Sequence, residues 1–261
     1  MLLKNIILLI VKRFINRNIV VTGAASGIGL AVCHRIAAEG GNIAMVDWDS
    51  KRLSLAVNEL QKYNTNIKPY ICDVQSENSV TTVTRDIKND FQYIHALNHN
   101  AGILKIYNTH EMTLEEFQEI ININLIGTFL INKSFIPLLL KNEVSYLVNM
   151  SSIAEFHPHP WMSAYSATKG AIKSFTRSLF IEYHKQGLRA NCISPGSVTT
   201  RLADNFIIPQ GADSDIIKYL VPFGEPHMVT PDKIAGVIAM LCSDDAYHIN
   251  GTEIIADGGR I

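Results

Sequence analysis

Asn18-Ile-Val-Val-Thr22 runs directly into Gly23-Ala-Ala-Ser-Gly27-Ile-Gly29. The first five residues are mostly β-branched or apolar and read as a buried strand that Gly23 stops. Beyond the glycines, Ile28, Ala31, Val32 and Ile36 recur at helical spacing, and Gly40-Gly41 ends that helix. A glycine turn between a strand and a helix lets backbone N–H groups and the positive helix end approach a phosphate closely. Glycine turns are common, so the inference rests on the flanking strand and helix.

The alternation continues along the chain. Asn42–Val46, Ile67–Cys72, Tyr93–Asn98, Val144–Met150, Arg189–Ile193 and Thr252–Ala256 read as further strands. Helical stripes fall between them: Leu53 to Leu60, Val80 to Ile87, a long stretch over 113–140 with Pro137 near its end, and 164–186. Thr230 before Pro231 is an N-cap followed by proline at the first helical position. Seven strands alternating with helices predict an α/β fold. It is a Rossmann-type doubly wound parallel sheet with helices on both faces, in a single domain over 18–261. In such sheets ligands bind beyond the carboxyl ends of the strands, where Gly23, Asp47, Asp73, Asn100, Ser152 and Pro195 fall. The irregular stretch 197–229 is long enough to be a substrate lid.

Composition narrows the function classes. The chain has 261 residues, 47% of them hydrophobic and 18% charged, with net charge −1. These values exclude a disordered chain, and the absence of a basic excess argues against nucleic acid as a partner. Cys33, Cys72, Cys192 and Cys242 are scattered without a CxxC pair, which suggests reduced thiols in a cytoplasmic protein. The apolar run Leu2–Val11 contains Lys4 and is about half the length of a membrane span. Lys12 and Arg13 follow it rather than precede it, unlike a signal peptide. Residues 1–17 are expected to be a mobile or surface-packed extension, with no membrane contact.

Two further features carry chemistry. Asp47 closes the second strand, where a carboxylate can bond both ribose hydroxyls of an adenosine and repel a 2′-phosphate. No Arg or Lys lies inside the glycine turn, so the cofactor expected is NAD. Asp49 suits the N-cap of the next helix. Tyr165 and Lys169 are four apart, hence on one helix face. An ammonium beside a phenol favours the phenolate and would lower its pKa, so the pair could move a proton to or from an alcohol oxygen.

Taken in order, TGAASGIG at 22–29, Asp47, Asp73-Val74, Asn100-Ala101-Gly102, Asn124, Ser151-Ser152, Tyr165-Ser-Ala-Thr-Lys169, Pro195-Gly196 and Asp257-Gly258-Gly259 resemble the short-chain dehydrogenase/reductase family over about residues 18–259. The resemblance implies a catalytic set of Asn124, Ser152, Tyr165 and Lys169. Tyr165 would be the acid/base, and Lys169 would lower its pKa and bind the nicotinamide ribose. Ser152, at the family's usual spacing of 13 residues before Tyr165, would bond the substrate oxygen. Asn124 would kink the long helix and hold a water in a proton relay. NAD would be held by Gly23, Ser26, Gly27, Ile28, Gly29, Asp47, Asp73, Val74, Asn100, Ala101 and Gly102, then by Tyr165, Lys169, Pro195, Gly196, Val198 and Thr200. Thr22 and Ile193 would flank these. His99 stands where the family usually has Asn, and a packed or hydrogen-bonded role is expected for it. The resemblance also implies a homotetramer or homodimer.

Leu104, Ala154, Phe156, His159, Trp161 and Phe206 are the candidates for an apolar substrate pocket, together with Ile207 and Ile208. They favour a lipophilic secondary alcohol or ketone. No metal is expected: two loop histidines, His157 and His159, rarely suffice for a metal site. Two other functions compete. One is a 3-oxoacyl-thioester reductase using NADPH, which Asp47 disfavours. The other is a non-catalytic dinucleotide-binding sensor or scaffold.

Overall fold

The computed structural model describes residues 12–204, 208–220 and 228–259. Seven parallel strands form one sheet in the order β3-β2-β1-β4-β5-β6-β7. They are β1 Asn18–Thr22, β2 Asn42–Asp47, β3 Ile67–Ile71, β4 Ala96–His99, β5 Ser145–Met150, β6 Leu188–Pro195 and β7 Glu253–Ala256. The order reverses between β1 and β4, which opens a crevice at their carboxyl ends. There Thr22 lies opposite His99, and His99 opposite Asn149.

The helices are α1 Gly27–Ala38, α2 Ser50–Leu60, α3 Glu77–Phe91, α4 Leu114–Ile121, α5 Gly127–Leu139, α6 Ser163–Tyr183, α7 Arg201–Asp204, α8 Ser214–Ile217 and α9 Pro231–Leu241. Alternate strand residues point to opposite faces, so the sheet builds two cores. Val21, Met45 and Val148 pack with Val32 and Ile36 of α1 and Ile238 of α9. Val20, Val46 and Leu147 pack with Ile87 of α3, Phe135 of α5 and Leu179 of α6. Burial on both faces explains the near-continuous apolar strands.

A π-helical turn, Asn122–Ile126, joins α4 to α5. Leu114–Leu139 is thus a continuous helical stretch of 26 residues, long and apolar enough to cross a membrane by length and composition alone. Here Leu130, Ile131 and Phe135 bury their side chains in the protein core instead.

The domain starts earlier than residue 18. Phe14 is only 1% exposed and sits in the α1 core, and its N–H donates to Glu39 O. Arg13 forms a two-pronged ion pair with buried Glu39. A boundary drawn at the first strand therefore cuts through packed structure, because one aromatic residue closes the end of α1. Residues 1–11 lie outside the described residues. The ends of the 197–229 stretch are also tied: Val198 bridges Val229, and Thr199 N–H donates to Val229 O over 2.9 Å.

Candidate active site

The turn after β1 is shaped by close backbone approach. A Cβ on Gly29 would lie 2.1 Å from Gly23 O, and one on Gly23 would lie 3.0 Å from Ala101 N. Gly23 and Gly27 also hold positive φ, which glycine adopts without strain. α1 begins without an acidic residue in its first turn, and Ser26 makes no side-chain cap. Its N–H groups are therefore oriented for an external anion. Asp47 is 9% exposed, with Oδ2 accepting from Ala25 N–H and Oδ1 from Asp49 N–H, each over 3.0 Å. These bonds fix the carboxylate beside the glycine turn. Asp49 caps α2 through Arg52 N–H, as its sequence position predicts.

Asp73 is exposed beyond β3 and accepts from Gln75 N–H, and Val74 is buried against Gly127. Asn100 donates to Thr22 O and Asn98 Oδ1, and its own Oδ1 is buried without a partner among the described residues. Ala101 N–H donates to Thr22 Oγ1. Thr200 packs over Gly27, and Gly196 packs against Asp257. An uncapped helix start, a backbone cradle and an orphaned buried acceptor all suit a nicotinamide dinucleotide. Gly23 to Gly29, Asp47 and Asn100 would hold it.

On the other side of the crevice, Tyr165 and Lys169 lie on α6, 7% and 4% exposed. Lys169 Nζ donates to Met150 O over 2.8 Å and stands 5.4 Å from the Tyr165 ring centroid. Burial pulls the Lys169 ammonium down to about 8. Burial also pushes the Tyr165 phenol up to about 12, while a hydrogen bond from Ser152 draws it back. The net shift is thus upward, not the downward one expected beside an ammonium, because enclosure disfavours the phenolate. The neighbouring Ser151 is committed elsewhere, donating to Lys169 O.

Asn124 lies in the π turn, fully buried. Its Oδ1 accepts from Ile103 N–H over 2.8 Å, and its Nδ2 donates to Ile103 O and Thr168 Oγ1. A Cβ on Gly102 would lie 3.0 Å from Asn124 Oδ1 and 3.8 Å from Lys169 Nζ. Asn124 therefore braces the strand-end loop against α6, beside the lysine.

Ser152 and Tyr165 open into a cavity of about 370 Å³. Leu104, Ala154 and His159 line it as the sequence suggests. Phe156 does not: it lines a separate outer groove of about 460 Å³, because the 3₁₀ turn Ile153–Glu155 directs it outward. Trp161 is not among the cavity's lining residues either. It holds positive φ, and its carbonyl accepts from Tyr107 N–H. Phe206 and Ile207 lie outside the described residues, and Ile208 is not among the lining residues. The cavity uses Met162, Leu202, Leu220 and Met228 instead, none of which carries a local sequence signal. Among the described residues, no three His, Cys, Asp or Glu side chains group as a metal site.

A protein-family model described as enoyl-(acyl carrier protein) reductase matches residues 23–260. The chain belongs to the short-chain dehydrogenase/reductase family. Uncharacterized oxidoreductase YxbG of Bacillus subtilis is 34% identical to this short-chain dehydrogenase/reductase over 95% of this chain and 92% of that protein. 2-(S)-hydroxypropyl-CoM dehydrogenase 3 of Xanthobacter autotrophicus is 30% identical over 95% of this chain and 98% of that protein. Among solved structures, 3-ketoacyl-(acyl-carrier-protein) reductase from Brucella melitensis, complexed with NADH, superposes with a TM-score of 0.85. It is 28% identical, covering 94% of this chain and 98% of that one. Members of the family are oxidoreductases that bind a nicotinamide dinucleotide.

Proposed function

We propose that this short-chain dehydrogenase/reductase interconverts a lipophilic secondary alcohol and its ketone, using NAD(H). The observation that carries the reaction is that Ser152 and Tyr165 line one apolar cavity, with Lys169 buried alongside on the Tyr165 helix. When bound, the nicotinamide exchanges hydride with the substrate carbon. Tyr165, held protonated by burial, gives its proton to a ketone oxygen, and in the reverse direction its phenolate takes the hydroxyl proton. Ser152 donates to the same oxygen as charge builds there. Lys169 supplies a positive charge next to the phenol, fixed by Met150 O. Met162, Leu202 and Leu220 exclude water and favour an apolar substrate body.

NAD over NADP is supported by the fixed Asp47 carboxylate and by a glycine turn without a cation. A 2′-phosphate at that position would face an enclosed like charge. Exposed Phe117, Ile126 and Phe129 on one helical stretch support a homotetramer or homodimer. The four buried, unpaired cysteines support a reducing, cytoplasmic compartment. The test is a steady-state screen of secondary alcohols and ketones with each cofactor. Turnover of apolar substrates with NAD(H) preferred is expected. Preference for NADP(H), or activity confined to polar polyols, would overturn the proposal.

A further inference from the structure

Below the catalytic face, Lys173 lies one helical turn past Lys169 on α6. Its Nζ is 2.6 Å from Glu155 Oε1 and 2.7 Å from Glu253 Oε2. The three side chains are 19%, 8% and 7% exposed, so little solvent screens them. The other oxygen of Glu253 accepts from the Ser194 hydroxyl on β6. Glu155 ends the 3₁₀ turn that starts at Ile153, and its N–H donates to Ser152 O over 3.1 Å. The Phe156 ring centroid stands 5.9 Å from Lys173 Nζ.

One ammonium thus joins three parts of the site. These are the turn that follows Ser152, the helix that carries Tyr165 and Lys169, and the strand pair that ends at Pro195. The strands are held by the ladder between Cys192–Pro195 and Glu253–Ala256. The 3₁₀ turn shares no such ladder with the sheet, so the Glu155–Lys173–Glu253 bridge ties the two together through side chains. Without the cation, two enclosed carboxylates would face each other and repel.

We propose that Lys173 is a positioning residue: by bridging Glu155 to Glu253 it clamps the Ser152 turn onto the sheet and sets the geometry of substrate turnover. The clamp rests on the reading of Ser152 and Tyr165 given above. Displacing a reacting group by about 1 Å can cost as much as a hundredfold in rate.

The test measures alcohol oxidation at saturating NAD⁺, together with NADH affinity by fluorescence, on the full chain. Lys173→Met is expected to lower kcat by about tenfold to a hundredfold and to raise substrate KM, with NADH affinity retained. Lys173→Arg keeps the cation and is expected to recover most of the rate. If Lys173→Met does not fold, Glu155→Gln gives the same reading: a smaller loss of kcat/KM at unchanged NADH affinity. Wild-type kcat in Lys173→Met or Glu155→Gln overturns the clamp, as does a fall in NADH affinity parallel to kcat. Tyr165→Phe, assayed alongside, isolates the site reading: full activity there refutes the mechanism independently of Lys173.

Discussion

Thr22 Oγ1 and His99 Nδ1 lie 2.7 Å apart at facing positions of β1 and β4, and the bond between them runs one way. Thr22 Oγ1 already accepts the N–H groups of Asn100 and Ala101, over 3.1 and 3.2 Å. A hydroxyl has one proton to give, and His99 Nδ1 is where it goes. The neutral ring therefore carries its own proton on Nε2, which is buried without a partner among the described residues. Burial, with Lys169 as the smaller cause, pushes the ring down to about 3. The histidine acts as a neutral hydrogen-bond acceptor that locks the glycine turn to the end of β4.

Acid stability follows from that ring. Between about pH 6.5 and 3 the unfolded chain protonates His99 while the folded chain does not. The unfolded state then binds more protons, so stability falls as pH falls through that window. His99→Asn keeps an acceptor without a titrating ring, and its melting temperature should depend less steeply on pH. His95, also pushed down by burial, leaves some slope in place. Calorimetry of both proteins from pH 7 to 4 checks this; equal slopes would refute it.

Tyr165→Phe removes the proton donor and leaves the ring in its packing. Turnover should fall by about 10²- to 10⁴-fold. NADH affinity, read by fluorescence quenching, should change little. Ser152→Ala should cost less, since Tyr165 still addresses the oxygen.

Asp47→Ala should narrow the ratio of kcat/KM for NAD to that for NADP. It should also destabilise the protein, because Ala25 and Asp49 lose their charged acceptor. Hydrogen bonds to charged groups contribute about 1.5–3 kcal/mol each. Asp47→Asn retains one acceptor oxygen and should lose less stability than the alanine variant. Urea denaturation separates the two.

Two glycines should respond oppositely to alanine. Gly29→Ala places a methyl against the Gly23 backbone carbonyl, which cannot yield, and the variant should not accumulate as folded protein. Gly170, inside α6, has only Glu155 Cβ at 4.0 Å from an added methyl. Gly170→Ala should raise stability by about 0.5–1 kcal/mol through helix propensity.

Phe14→Ala should cost about 3–5 kcal/mol, the value for a fully enclosed aromatic. A cost below about 1 kcal/mol would return the start of the domain to β1.

The sequence made the sheet legible because each buried strand is an apolar run stopped by a polar or glycine residue. β1 starts and ends where its β-branched run does. β4 starts three residues later than its apolar content suggests and runs on through His99. A histidine normally marks the surface, and only the Thr22 hydroxyl makes it fit inside. Asp47, Tyr165 and Lys169 stand out in the sequence because chemistry constrains their type and position, and Ser152 through the family resemblance; the structure brings Ser152 and Tyr165 to one cavity. The cavity wall does not stand out. Hydrophobicity alone could not tell that Phe156 turns out over Lys173 while Met162, ten residues after Ser152, turns in. Nor could charge counts reveal that Glu155, Lys173 and Glu253 meet, since 98 residues separate the first from the last.

The π-helical turn at Asn122–Ile126 makes the number of residues between α4 and α5 a working part of the site. Each residue advances an α-helix by about 100°. Deleting one residue here would permit an unbroken helix whose flanks keep nearly their present facing, because the wider π turn holds one residue more, and only the bulged segment would be repositioned. Asn124 would then swing off Ile103 although every side chain needed for chemistry remained in the chain. This segment should accept many substitutions yet reject any change of length, the reverse of what an ordinary surface loop tolerates.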